Sequence, residues 1–249
     1  MQMARKITVV LQVLICLFAL QELGILSASP GPASITFDGT AFRPVYVDAY
    51  GDSTMEGLSK IDGVYGMVPN NQPMQLQMRL QAQFGTQVRV WNQGVSGSNL
   101  RQLLDGSGGR YRKPFAERMQ ESAAHIVLAN FGINDAEAST LDQYKANIDT
   151  FVKLARAHGK IPVLEEPNPV CDPSPAPKNI PRIEQQVAFL NDYAAENHVP
   201  LVKQYAFIKS LPDWRNRLVD CIHPTADLYE IEAERIAMTI APIVRRLAN

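Results

Sequence analysis

The 249-residue sequence predicts an α/β fold built on a five-stranded parallel sheet. Two observations predict it. Short apolar runs that read as strands alternate with longer stretches whose apolar residues recur at helical spacing. Polar motifs follow the first three runs, at the carboxyl ends of the strands, where an open parallel sheet carries its ligand sites.

The elements follow in order. Residues 45–50 form the first strand, broken by Gly51. Residues 74–84 place Met74, Leu76, Met78, Leu80 and Phe84 on one broad helical face. Val88, Val90 and Trp91 mark the second strand, residues 112–122 a helix, and residues 126–131 a third strand ended by Gly132. In residues 141–157, Ile148, Phe151, Val152 and Ala155 share one side of a long amphipathic helix. A fourth strand at 161–164, a helix at 183–196 and a short fifth strand at 199–202 come next. The stripe from Leu228 to Leu247 is a closing helix, with Thr225 placed to cap it. The loop after the fourth strand holds Pro167, Pro169, Pro173, Pro175, Pro177 and Pro181, which stiffen it as one wall of a site.

The amino terminus reads differently. Arg5 and Lys6 precede a mostly apolar run over 7–20, followed by Ser27, Ala28, Ser29 and Pro-Gly-Pro. This is the layout of a cleaved secretory signal peptide over residues 1–33, ahead of one domain at 34–249. Pro30 disfavours a cut just before it, which moves the site toward Ala33. An uncleaved membrane anchor is the alternative, though Gln12, Gln21 and Glu22 interrupt a run already short for a span of ~20 apolar residues. The leader predicts a periplasmic or secreted protein with no membrane attachment once it is removed. Without Arg5, Lys6 and Glu22 the chain keeps 22 basic and 24 acidic residues, so its balance moves from -1 to -2. Such a chain has no basic face for nucleic acid and no polybasic membrane surface. Cys16 lies in the leader; Cys171 and Cys221 are an even pair in an exported protein and are expected to bridge, two buried thiols being the alternative. A bridge would tie the proline-rich wall to the loop that carries Asp220.

Two short motifs carry the chemistry. Gly51-Asp52-Ser53 puts a serine at the end of the first strand, and Asp220-Cys221-Ile222-His223-Pro224 puts an acid three residues before a histidine. A serine hydroxyl attacks a carbonyl only when a base takes its proton, and that base works best when a third group fixes its tautomer. Among His125, His158, His198 and His223, only His223 has an acid at that spacing. Ser53 is therefore the candidate nucleophile, His223 the base and Asp220 its partner. Acyl transfer also needs hydrogen-bond donors where negative charge develops. Gly97 offers a backbone N–H, Asn134 a side-chain amide, and Ser53 its own N–H. Read singly, each motif has a plainer meaning: a helix cap after a glycine turn, a turn after a strand, or an Asp-led turn before a proline.

Together, Gly51-Asp52-Ser53, Asn92-Gln93-Gly94-Val95-Ser96-Gly97, Gly132-Ile133-Asn134-Asp135 and the Asp220 to Pro224 block resemble, in order and spacing, the four blocks of the SGNH hydrolases, also called GDSL esterases or lipases. The resemblance implies a flavodoxin-like three-layer α/β/α sandwich. It implies Ser53 as nucleophile, Gly97 and Asn134 in the oxyanion hole, His223 as base and Asp220 as its partner. Thr54 stands where leucine is usual, a variation the resemblance associates with carbohydrate esterases, and Cys221 stands at a frequent glycine.

The expected function is a serine esterase working through an acyl-enzyme, on short acyl groups such as acetyl on carbohydrate, its partner a small-molecule or polysaccharide ester. Lysophospholipase or thioesterase activity, a sugar acetyltransferase and a non-catalytic glycan-binding or assembly module are the alternatives. No cofactor or metal is expected, since Gly106-Ser107-Gly108-Gly109 lacks a following Lys-Ser or Lys-Thr and no zinc-ligand pattern is present.

Overall fold

The computed structural model of the chain describes residues 43–109, 111–172 and 179–249. The expected leader lies outside the described residues, as do Pro173, Pro175 and Pro177 of the proline-rich loop. From the amino end come β1 (Val45–Gly51), the one-turn helix α1 (Ser53–Glu56), the strands β2 (Leu58–Ile61) and β3 (Val64–Met67), α2 (Gln72–Phe84) and β4 (Val88–Gly94). Then follow α3 (Leu100–Asp105), α4 (Phe115–Glu121), β5 (Ile126–Asn130), α5 (Asp135–Ala138), α6 (Leu141–Ala157) and β6 (Ile161–Glu165). The chain ends with α7 (Ile180–Glu196), β7 (Leu201–Val202), α8 (Tyr205–Ser210), a 3₁₀ turn (Trp214–Arg217) and α9 (Ala226–Ala248).

Five strands hydrogen-bond in the order β4-β1-β5-β6-β7, every neighbour parallel. Counted along the chain this is the order 2-1-3-4-5 of flavodoxin-like sheets. Successive side chains on a strand point to opposite faces, so one apolar run feeds two cores. Val45, Val47 and Ala49 of β1, with Ile126 and Leu128 of β5, pack on Leu76 and Leu80 of α2 and on Ile236 and Ile240 of α9. On the other face Tyr50, Val127, Ala129 and Leu164 meet Phe115 of α4, Phe151 of α6 and Leu190 of α7. The fold is thus a three-layer α/β/α sandwich.

Several boundaries differ from expectation for local reasons. Helix α2 starts at Gln72, not 74, because the Asn71 side chain accepts from Met74 N at 3.1 Å and Pro73 suits a first helical turn. Helix α4 starts only at Phe115, since a residue before a proline avoids helical backbone and Lys113 precedes Pro114. Thr225 holds the N-cap position of α9, but its hydroxyl makes no cap and donates to the Arg217 carbonyl at 3.2 Å. The β2–β3 hairpin and α3 arise in segments for which the sequence predicts no element.

One buried polar cluster lies at the carboxyl end of β6. Glu165 Oε1 accepts from Gln72 Nε2 at 2.7 Å and from Gln204 Nε2. Burial pushes the Glu165 carboxyl up to about 8, the Asp52 charge adding to the rise and hydrogen bonds from Gln72 and Asn130 opposing it. Burial and the neighbouring Glu165 likewise raise Glu232. An unfolded glutamate releases its proton near ~4.3, so the native state holds a proton that the unfolded state gives up. The Glu165 contribution is therefore complete at low pH and is lost as pH rises from about 4 to about 8. Glu165→Gln, which stays neutral, is expected to flatten the decline in the urea midpoint between about pH 5 and pH 8.

Candidate active site

At the end of β1 the chain turns straight into α1. Asp52 caps that helix: its Oδ1 accepts from Thr54 N and Thr54 Oγ1, both at 2.9 Å. Ser53 is therefore the first helical residue, and its N–H has no acceptor within the helix. The side chain is buried apart from 8% of its surface. Helix α1 sits close over the sheet edge because β4 ends in glycine: a Cβ on Gly94 would lie 2.3 Å from the Glu56 nitrogen. Glu56 Oε2 also accepts from Ser96 N at 2.7 Å and Ser96 Oγ at 2.5 Å, pinning the helix to the loop after β4.

The candidate base arrives from the other end of the chain. His223 Nε2 lies 2.9 Å from Ser53 Oγ, and its Nδ1 lies 2.7 Å from Asp220 Oδ2. A carboxylate only accepts, so Nδ1 carries the proton and the neutral ring leaves Nε2 free to accept from the serine hydroxyl. The Asp220 Oδ1 atom accepts from Ile222 N at 3.0 Å and His223 N at 2.8 Å. Burial works to raise the Asp220 carboxyl, but the hydrogen bonds from His223, the attraction of its ring and the Ile222 N–H outweigh it. The net result holds Asp220 below the usual carboxylate range, ionised beside the imidazole.

Gly97 and Asn134 lie on the same rim. Gly97 has φ +75°, a left-handed conformation that favours glycine, and open space where a Cβ would stand. Asn134 Nδ2 donates to the Ser98 carbonyl at 2.9 Å and, at 3.3 Å, to Asp52 Oδ2. Its amide is thus turned toward the loop of Gly97 and the helix of Ser53, with the Asp52 contact the longer. Next to it, Asp135 Oδ1 accepts from Leu100 N at 3.0 Å. Asn134 and Asp135 therefore hold residues 98–100 at the Ser98 carbonyl and the Leu100 N–H. Burial pushes the Asp135 carboxyl to about 7, the Leu100 N–H opposing and the Asp52 charge assisting.

The sequence over residues 49–231 matches the GDSL-like lipase/acylhydrolase family. The chain belongs to that family. Solved structures share the fold. A lipase/acylhydrolase from Enterococcus faecalis matches at TM-score 0.65 and 18% identity, covering 80% of this chain and 96% of its own. An acetylxylan esterase from Geobacillus stearothermophilus matches at TM-score 0.57 and 19% identity, covering 82% and 96%. An α/β hydrolase from the metagenome of Lake Arreo, Spain, matches at TM-score 0.56 and 19% identity, covering 84% and 98%. No curated protein matches the sequence. As a GDSL-like acylhydrolase, the protein is an enzyme acting on ester bonds.

In this GDSL-like site the loop of Asp220 and His223 is braced residue by residue. Cys221 and Cys171 form a disulfide with Cα atoms 4.7 Å apart, and Cys171 N donates to the Cys221 carbonyl at 2.9 Å. The bridge ties the proline-rich segment at Cys171 to the loop of Asp220 and His223. Cys221 has φ +68°, which explains why glycine is at home there; for other residues the left-handed region costs roughly 1–2 kcal/mol, and the bridge holds it in place. The Ile222 carbonyl accepts from Asn168 Nδ2 at 2.8 Å, and the His223 carbonyl from Val219 N at 2.9 Å. The Pro224 carbonyl accepts from Ser59 Oγ at 2.7 Å.

The other histidines lie elsewhere: His158 caps α6, His125 Nδ1 accepts from Tyr46 N at 3.1 Å, and His198 follows α7. Among the described residues, no group of three His, Cys, Asp or Glu is arranged to hold a metal ion. Sequence reasoning missed Glu56 and Tyr65, whose hydroxyl donates to Asp220 Oδ2 at 2.9 Å. Each acts on a residue at least 40 positions away, so no local pattern marks it. Asp135 stands in the Gly132 to Asp135 block, but nothing in that block marks its hold on Leu100 N. Gly94→Ala is expected to lift α1 off the loop after β4. Overpacking of this kind costs about 1–3 kcal/mol, read as a lower urea midpoint, with ester turnover falling alongside.

Proposed function

We propose that the protein is a serine esterase that works through an acyl-enzyme, with Ser53, His223 and Asp220 as its catalytic residues. The observation that carries this reading is the hydrogen-bonded file from Asp220 Oδ2 through the His223 ring to Ser53 Oγ, at 2.7 and 2.9 Å. Ser53 Oγ attacks the ester carbonyl carbon as its proton passes to His223 Nε2. Asp220 holds the resulting imidazolium. The carbonyl oxygen, now negative, is met by the N–H groups of Ser53 and Gly97 and by Asn134 Nδ2, which gives up its longer contact to Asp52. His223 then returns the proton to the departing alcohol oxygen, leaving Ser53 acylated. Water, deprotonated by the same nitrogen, attacks the acyl carbon and restores the serine.

The substrate we favour is a short acyl group, such as acetyl, on a carbohydrate. A cleft of about 350 Å³ supports it, lined by Asn99, Arg101, Gln102, Ser139, Gln143 and Asn147, whose amides and hydroxyls suit sugar hydroxyls. Asn99 of this cleft follows Ser98, whose carbonyl accepts from Asn134 Nδ2. The Gly-Asp-Ser-Thr sequence and the shared fold with an acetylxylan esterase point the same way. A second reading, a lipid-type ester or thioester, is favoured by one observation: the hairpin beside Asp220 exposes Ile61, Val64 and Met67. The leader pattern and the Cys171–Cys221 disulfide both support export to an oxidising compartment.

Three measurements check these statements. Ser53→Ala is expected to lower p-nitrophenyl acetate turnover by at least ~10³-fold, and Asn134→Ala to lower kcat by about 10²- to 10³-fold with little change in KM. Turnover at the wild-type rate in Ser53→Ala removes the serine from its role. A series of p-nitrophenyl esters of rising chain length is expected to fall off steeply beyond short acyl groups; a maximum at long chains selects the lipid reading. Intact mass of the exported protein is expected to show a chain beginning near residue 34.

A further inference from the structure

Nothing in the mechanism so far uses the β2–β3 hairpin, yet it is built against the catalytic loop. Its base is fixed at two points. Ser59, 1% exposed, donates to the carbonyl of Pro224, the residue after His223, and the Leu58 carbonyl accepts from Tyr229 of α9 at 2.8 Å. Farther along, Tyr65 reaches the acid itself. Its hydroxyl donates to Asp220 Oδ2 at 2.9 Å, the same oxygen that holds His223 Nδ1 at 2.7 Å. The Tyr65 ring stands edge-on to the imidazole, centroids 6.4 Å apart, and Lys60 Nζ lies 4.8 Å from the Tyr65 ring centroid. Tyr65 is nonetheless 49% exposed. A tyrosine half in solvent, whose hydroxyl ends on a catalytic carboxylate, contributes little to a core.

We propose that Tyr65 is a positioning residue: it moderates the hold of Asp220 on His223 and makes the hairpin a working part of the acid-base relay. This inference rests on the esterase reading of the site. Four donors converge on the Asp220 carboxylate, two on each oxygen. Two hydrogen bonds on one oxygen compete for the same electron density, so the Tyr65 hydroxyl weakens the grip of Oδ2 on the ring. A weaker grip makes the imidazolium that forms as Ser53 gives up its proton less favoured. The other groups that bear on His223 come from three elements. Asp52 at the cap of α1 attracts its positive form. Tyr229 of α9 stands within the fields of Asp52 and Asp220, and Lys60 of the hairpin lies over Tyr65. Tyr65 alone among these donates directly to the atom that holds the ring.

Tyr65→Phe keeps the ring and deletes the hydroxyl. With Oδ2 left to His223, the acid limb of the kcat/KM profile for p-nitrophenyl acetate is expected to move up by about half a pH unit, and the low-field His223 Nδ1–H proton resonance to move downfield. A merely structural tyrosine changes neither quantity. An acid limb and a resonance that both superpose on wild type overturn the proposal. Should the wild-type protein hydrolyse no ester at any pH, the esterase reading fails, and the Nδ1–H resonance still decides whether Tyr65 tunes the Asp220–His223 pair.

Discussion

A hydrogen bond of 2.9 Å between Ser53 Oγ and His223 Nε2 joins residues 170 apart in the sequence, and most of the surrounding structure serves to hold its two ends still. One end rides on a helix of a single turn, too short to be stable alone. It is fixed by the Asp52 cap, by the close approach that Gly94 permits and by the Glu56–Ser96 contact. The other end rides on a loop tied down by a disulfide and by side chains from two distant segments. The inner strands of the parallel sheet, β1, β5 and β6, are buried on both faces. They supply the rigid base that lets two such small pieces meet at hydrogen-bond distance.

The carboxyls near this bond divide into two kinds. Asp220 is half-buried but surrounded by donors, and it stays ionised well into acid. Asp135 and Glu165 are buried with fewer donors, and burial pushes them up to about 7 and about 8. The difference matters for the proposed base, which becomes positive as it takes the serine proton. A fixed negative charge belongs next to the imidazole ring, where it stabilises the transient cation. Farther away, neutral carboxyls can organise loops and helix ends without adding charge to the interior.

The sheet was legible in the sequence because its inner strands β1, β5 and β6 bury both faces and read as apolar runs, while α6 and α9 carry regular apolar stripes. The β2–β3 hairpin was not, since Ile61, Val64, Tyr65 and Met67 face solvent and leave no alternation to detect. Helix α3 escaped because it is six residues long and owes its start to a capping box between Asn99 and Gln102. In the site, Ser53, Asp220 and His223 stood out by their chemistry and spacing. The residues that hold them did not, because Tyr65 and Glu56 are ordinary surface types until the fold brings distant partners to them.

The central claim is that the His223 ring activates the Ser53 hydroxyl, and a mechanism-directed label tests it most directly. A fluorophosphonate allowed to react with the protein, followed by peptide mass mapping, is predicted to place one adduct on Ser53 in the wild type and to leave Ser53 essentially unlabelled in folded His223→Ala. An adduct on another residue, or labelling of Ser53 at an undiminished rate without the imidazole, would contradict the account.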